Sequence, residues 1–479
     1  MAGVRTESIF TSRNRCQQRR CCRAERTEIA VRSSFTTRAH HLYGDVIAPS
    51  HHSTDTFDRV LGLSHVTASG VGVIIGAGIY ILIGPATERA GGLVWLSLLT
   101  ASALCALTAF SYMELTSMFP KAGSEHEFAR QVFPDWVAFT TGWSMAVALV
   151  VASAAVALGF GEYLSEFVSL DERLGALILF AAVATVAFSG MRQAKWLVLV
   201  LSTVQVGGLL LIVAVGAHHV GDVSLTSGNG VSGVLSGASV IFFAYIGFDE
   251  VITLAEETKD PHRTVPRALM LALVISTLLY VLVAIVAISV LGSSTLASSD
   301  QPLTAVMRDA VGSSAARVIG VIALATTANT TLLASTAASR MIYSMGNTGQ
   351  LPGRWAVVHE RSSPRLATAT VIGGSAILAM VGGLSLLAEA ANALVYVMFL
   401  VVNVVVIVLR IQRPTASRPF KISGTIRNVP LLPILGIVST LAMSAQIELQ
   451  PVLVALALLA SGTTLHLIGQ RFSATHTAQ

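Results

Sequence analysis

Charge is what this 479-residue chain has least of: 12% of its residues are Asp, Glu, Lys or Arg, against 53% hydrophobic. A soluble chain of this length could not cover so much apolar surface with so few charges, whereas a polytopic membrane protein needs no such cover. The mean hydropathy of +0.70 agrees. Cysteine is scarce too, and Cys16, Cys21, Cys22 and Cys105 complete no zinc-binding spacing. Three of them fall in a tail that reads as cytoplasmic and reduced. No HExxH and no Ser-His pair at membrane depth is present, which argues against an enzyme. The net charge of +5 does not point to nucleic acid, because the basic residues form short runs between apolar segments rather than one face.

Residues 1–64 hold about ten arginines and no long apolar run, so they read as a cytoplasmic, disordered tail. Acidic residues from Glu7 to Asp58 argue against a transit peptide. The pairs His40-His41 and His51-His52 read as solvated rather than metal-binding.

Beyond the tail, the hydropathy predicts twelve spans of roughly 20 residues each. They fall at 66–87, 92–118, 136–163, 174–190, 196–216 and 234–258, then at 268–291, 315–345, 367–387, 391–410, 430–446 and 450–469. With the tail inside, Lys and Arg favour the inner side about fourfold, which predicts a multi-pass protein of the cell membrane with both termini cytoplasmic. The lipid bilayer is then one partner. A homo-oligomer is compatible with the sequence.

Two spans are interrupted where they should be most regular. Gly76-Ala77-Gly78 breaks the first, and the stretch from Phe243 through Ala244 and Ile246 to Gly247 breaks the sixth. Broken helices at bilayer depth free backbone groups that are tolerated only in protein or at a cavity. Breaks that open two corresponding halves predict a secondary transporter built from inverted repeats, with its ligand at the midplane. A half-helix start offers N–H groups and a positive dipole end to a carboxylate, and a half-helix end offers carbonyls to an ammonium. An α-amino acid has both. Gly72 and Gly76 also form a GxxxG, so close helix packing is the competing explanation. No βαβ context surrounds these glycines, which excludes a dinucleotide fold.

Asp249 and Glu250 follow the second break at a depth where ionisable groups are costly and usually functional, so Asp249 is a candidate for gating or coupling. The alternative is that they already sit near cytoplasmic water. The eighth span carries Thr326, Thr327, Asn329, Thr330, Thr331, Ser335 and Thr336. Thr330, Thr331, Ser335 and Thr336 form a candidate ion site, although hydroxyls in membrane helices more often bond to their own helix.

These residues resemble the amino acid-polyamine-organocation (APC) superfamily of permeases, and within it the cationic amino acid transporter branch with its prokaryotic relatives. The resemblance covers about 61–469. It rests on Gly76-Ala-Gly-Ile-Tyr80, Phe119-Pro-Lys-Ala-Gly-Ser124 and Phe242-Phe-Ala-Tyr-Ile-Gly-Phe-Asp249. Glu256-Glu-Thr-Lys-Asp-Pro261, Gly349-Gln-Leu-Pro352, Arg418-Pro-Phe420 and Pro430-Leu-Leu-Pro433 follow in order.

The resemblance implies an all-α LeuT-type fold of about twelve transmembrane helices. One inverted repeat would lie at 65–218 and the second at 233–410, followed by a basic cytoplasmic loop at 411–429, two extra spans at 430–469 and a cytoplasmic tail at 470–479. It also implies that the substrate carboxylate meets the N–H groups of Ala77 and Gly78. The amino group would meet the carbonyls of Ile74, Phe243 and Ile246, with Phe243 as a lid. Proton-coupled relatives carry a lysine in the fifth helix, and an ungapped count puts Gln205 there. A glutamine cannot carry that proton. Coupling would then run through another group or through sodium, or the protein would be an exchanger or uniporter. The expected function is amino acid permeation by alternating access with no tightly bound cofactor, H+ or Na+ being the candidate coupling ions. An amino acid sensor signalling through its tail, and a channel, are the rivals from other classes.

Overall fold

The computed structural model describes residues 61–119, 124–189, 191–221, 223, 225–357, 364–426 and 429–476. The expected disordered tail, its histidine pairs and its three cysteines lie outside them, as does most of the Phe119–Ser124 motif. Leu61 N–H donates to Glu257 O at 3.0 Å, Lys259 N–H donates to Leu61 O at 2.9 Å, and helix has begun by Leu63.

The chain is an all-α membrane protein. Helices occupy each of the twelve expected places. The first place holds α1 (Leu63–Ile74) and α2 (Gly78–Ala90), bent by 50° at the glycine-rich break. Then come α3 (Val94–Met118), a short α4 (Ser124–Arg130), α5 (Asp135–Ser165), α6 (Glu172–Ser189) and α7 (Met191–Gly216). The second half opens with α8 (Gly230–Ile241), which passes into tight 3-10 turns at Phe242–Tyr245 and Phe248–Glu257. It continues with α9 (Pro261–Ala297), α10 (Pro302–Ala310), α11 (Ser313–Asn347), α12 (Arg365–Val381) and α13 (Leu384–Gln412). A two-residue hairpin, β1 (Thr425–Ile426) antiparallel to β2 (Val429–Pro430), precedes α14 (Leu431–Ser444) and α15 (Leu449–His476).

Among the described residues, seven helices are long and apolar enough to cross a membrane, or nine if each bent pair is one span. The bend of 115° between α14 and α15 turns the chain back, so the two expected C-terminal segments are distinct helices. The segments expected at 174–190 and 367–387 are α6 and α12, at 18 and 17 residues.

Position in the bundle follows apolar patterning. Helix α5 is apolar on every side and nearly all of its central window is buried, because α6, α11, α12 and α13 surround it. Outer helices keep an exposed apolar stripe, as Leu271, Val274, Ile275 and Leu278 do on α9. The buried carboxylate of Glu114 is paired. The loop expected at 411–429 folds back onto α3, where Glu114 receives Arg410 Nε at 2.6 Å, Arg418 Nε at 3.1 Å and the Ile422 N–H at 2.9 Å. That cluster was not foreseen from the sequence.

Candidate amino acid site between the helix breaks

Helix α1 ends because Ile75 leaves helical geometry (φ −75°, ψ 78°) and Gly76 N–H turns back to Ile74 O at 2.8 Å. Helix α2 takes its first intrahelical bond from Ile81 N–H to Ala77 O. The N–H groups of Gly78, Ile79 and Tyr80 therefore point out of the helix end. On the other side, α8 tightens at Phe242, and Gly247 sits in the left-handed region at φ 101°, which releases the chain into its next turn.

The two breaks touch. A Cβ on Gly78 would lie 2.5 Å from Ala244 Cα, and one on Gly247 would lie 3.2 Å from the Val73 side chain. Gly72, by contrast, approaches Ser202 of α7, so helix packing accounts for that glycine while Gly78 serves the contact between breaks.

Three side chains from other helices hold the freed backbone groups. Thr330 Oγ1 of α11 accepts Ala77 N–H at 3.0 Å. Tyr280 of α9 donates its hydroxyl to Ile74 O at 2.7 Å, with Ala244 O at 3.1 Å as its second acceptor. Asn392 of α13 donates to Ser239 O at 2.7 Å. Tyr280 and Asn392 were not singled out from the sequence. Nothing in a linear pattern marks which distant helix supplies a cap.

The expected site residues thus come together around the breaks, with one difference. Ala77 N–H is already engaged by Thr330, so the donors without a partner among the described residues run from Gly78 to Tyr80 rather than from Ala77 to Gly78. Among the acceptors, Phe243 O takes Ile246 N–H at 3.2 Å. Of the three aromatics, Phe242 lies against Tyr396 and Phe399, and Tyr245 donates to Leu98 O while packing on Tyr280. Phe243 is the one not bound up in this way.

Gln205 is buried between the first and eighth spans. Its Nε2 donates to Gly72 O at 2.7 Å, and its Oε1 faces Asn329 Nδ2 at 3.4 Å. Tyr80 fixes the adjacent backbone by donating to Gln205 O at 2.9 Å. The candidate ion residues of α11 are spread around the helix. Thr330 serves Ala77, Thr331 donates to Thr327 O at 2.9 Å, and Ser335 pairs with Ser153 of α5 at 2.9 Å. Thr336 lies half-buried one residue further on. No group of three His, Cys, Asp or Glu suited to a metal occurs among the described residues.

Asp249 is 5% exposed, and its charged neighbours are Glu250 and Glu125 of α4. Glu125 is itself buried and accepts the Tyr112 hydroxyl at 3.0 Å.

The architecture is that of a multi-pass membrane protein whose two interrupted helices meet inside the bundle. The chain belongs to the amino acid permease family, whose profile matches residues 61–474. It is 30% identical over 403 residues to the branched-chain amino acid permease of Bacillus subtilis, covering 79% of this chain and 86% of that one. It is 28% identical over 405 residues to the methylthioribose transporter of the same organism, covering 80% and 86%. It is also 28% identical over 400 residues to cationic amino acid transporter 3, mitochondrial, of Arabidopsis thaliana, covering 78% and 66%.

Proposed function

We propose that this chain is a secondary transporter that carries an α-amino acid across the membrane by alternating access, without covalent chemistry. The observation that carries this reading is the contact of the two helix breaks at Gly78 and Ala244. It brings the unspent N–H groups at the start of α2 beside the carbonyl-rich turn after α8. The first suits a carboxylate and the second an ammonium group. Relatives named for branched-chain and for cationic amino acids support a ligand defined by its α-amino and α-carboxyl groups rather than by one side chain. In this reading Phe243 closes over the substrate. Residues 65–218 and 233–410 are the inverted repeats that rock about it, and both termini are cytoplasmic.

Gln205 favours a second reading within the same class. A primary amide between Gly72 O and Asn329 ties the first and eighth spans without a titratable proton. That supports exchange or facilitated flux over proton symport through this position.

The test is uptake of a labelled amino acid panel into proteoliposomes, with the proton gradient, sodium gradient and internal amino acid imposed separately. Saturable uptake with counterflow is expected. Exchange-only uptake selects the second reading, whereas binding with no flux under any condition would make the protein a sensor.

A further inference from the structure

Helix α13 has no break of its own, yet one of its faces lies along the break in the sixth span. Asn392, Tyr396 and Phe399 occur at i, i+4 and i+7, a single helical stripe. All three are buried. The Asn392 amide meets the last turn of α8, with Nδ2 2.7 Å from Ser239 O and 3.3 Å from Val240 O. One turn on, the Tyr396 ring lies 4.7 Å from Phe242, the first residue of the tight turn. One turn further, Phe399 meets Phe242 and Phe248 edge-on, each at 5.6 Å, so it touches the chain on both sides of Gly247.

When α8 narrows at Phe242, carbonyls in its last turn lose the partners a continuous helix would give them. Within a membrane protein those oxygens must be paired internally or face a cavity. Asn392 supplies the donor. The orientation of its amide is fixed by chemistry, since the flipped form would set its oxygen against two carbonyl oxygens. Asn392 Oδ1 has no partner among the described residues, so the side chain is held through its donor end alone.

We infer that Asn392 is a positioning residue for the substrate site: its amide caps the broken end of α8 and, with Tyr396 and Phe399 below it, keeps the sixth span unwound at Phe243–Gly247. Holding Phe242 against α13 turns the following residues toward Gly78, where Ala244 makes its contact. The inference rests on the transport reading above. It adds that the site is held open from a helix that touches neither α1 nor α2 through this residue.

The test compares Asn392→Val with Asn392→Thr, which share a shape and differ by one hydroxyl donor, each checked for a monodisperse, cooperatively melting protein. Substrate affinity is read as amino acid-dependent thermal stabilisation, and transport as KM and kcat in proteoliposomes. The Val variant is expected to bind at least about tenfold more weakly than wild type, with KM rising more than kcat falls, and the Thr variant to recover part of that loss. If Val does not yield folded protein, Asn392→Leu takes its place against Thr. Equal affinity in the donor-bearing and donor-free variants overturns the inference and leaves the function standing. A wild-type protein that binds no amino acid removes both.

Discussion

Gly78 and Ala244 are in backbone contact: there is no room at Gly78 for a Cβ, which would lie 2.5 Å from Ala244 Cα and 2.9 Å from its Cβ. The close approach of the two broken spans therefore depends on one missing methyl group. Gly78→Val should push α2 and the Phe242–Tyr245 turn apart, at a cost of about 1–3 kcal/mol. Uptake should fall by more than tenfold while the protein remains extractable and monodisperse. Wild-type uptake by this variant would show that the contact is dispensable.

Tyr280 reaches both breaks through one hydroxyl. Replacing it with Phe removes only that oxygen, so the Ile74 carbonyl keeps Gly76 N–H alone and the Ala244 carbonyl loses the hydroxyl, at a cost of about 1–3 kcal/mol. Tyr280→Phe is expected to melt a few degrees lower and to raise KM. An unchanged KM alongside a lower melting temperature would restrict Tyr280 to a purely structural role.

Much of this arrangement was legible in the sequence. Glycine interrupts apolar runs at Gly76 and Gly247, and apolar length marks the helices, because both are properties of a contiguous stretch. The capping partners were not legible. Ile74 is held by a residue 206 positions away and Ala77 by one 253 positions away, and no local periodicity encodes such pairings. The partners of the α11 hydroxyls were not legible for a related reason. Thr330 and Thr331 are neighbours in sequence but about 100° apart around the helix, so a cluster in the chain is not a cluster in space.

Gln205 offers a direct test of ion coupling. Gln205→Lys places an ammonium beside Gly72 O, where the amide now donates. If coupling fails to run through this position only because a titratable group is missing, the variant should acquire a steeper dependence of uptake on external pH than wild type. The measurement is initial uptake between pH 5.5 and 8. Identical profiles for folded wild type and variant would remove position 205 from the coupling mechanism.

Glu114 holds two arginines and a backbone N–H in a buried setting. Glu114→Leu leaves Arg410 and Arg418 without their shared carboxylate and should destabilise the protein by about 3–5 kcal/mol. A large fall in melting temperature is expected. Combining it with Arg410→Met should recover part of that loss, and a single variant as stable as wild type would show that the cluster contributes little.

Leu61 is bonded on both sides to the segment after the second break, through Glu257 O and Lys259 N–H. The two interrupted spans are thus joined at one end by backbone and meet again at Gly78 and Ala244. They are fastened to each other at two points. In the proposed transport cycle, an opening at the Leu61 end would carry α1 and the Phe248–Glu257 turn together, moving a pair of half-helices against the rest of the bundle rather than parting one from the other.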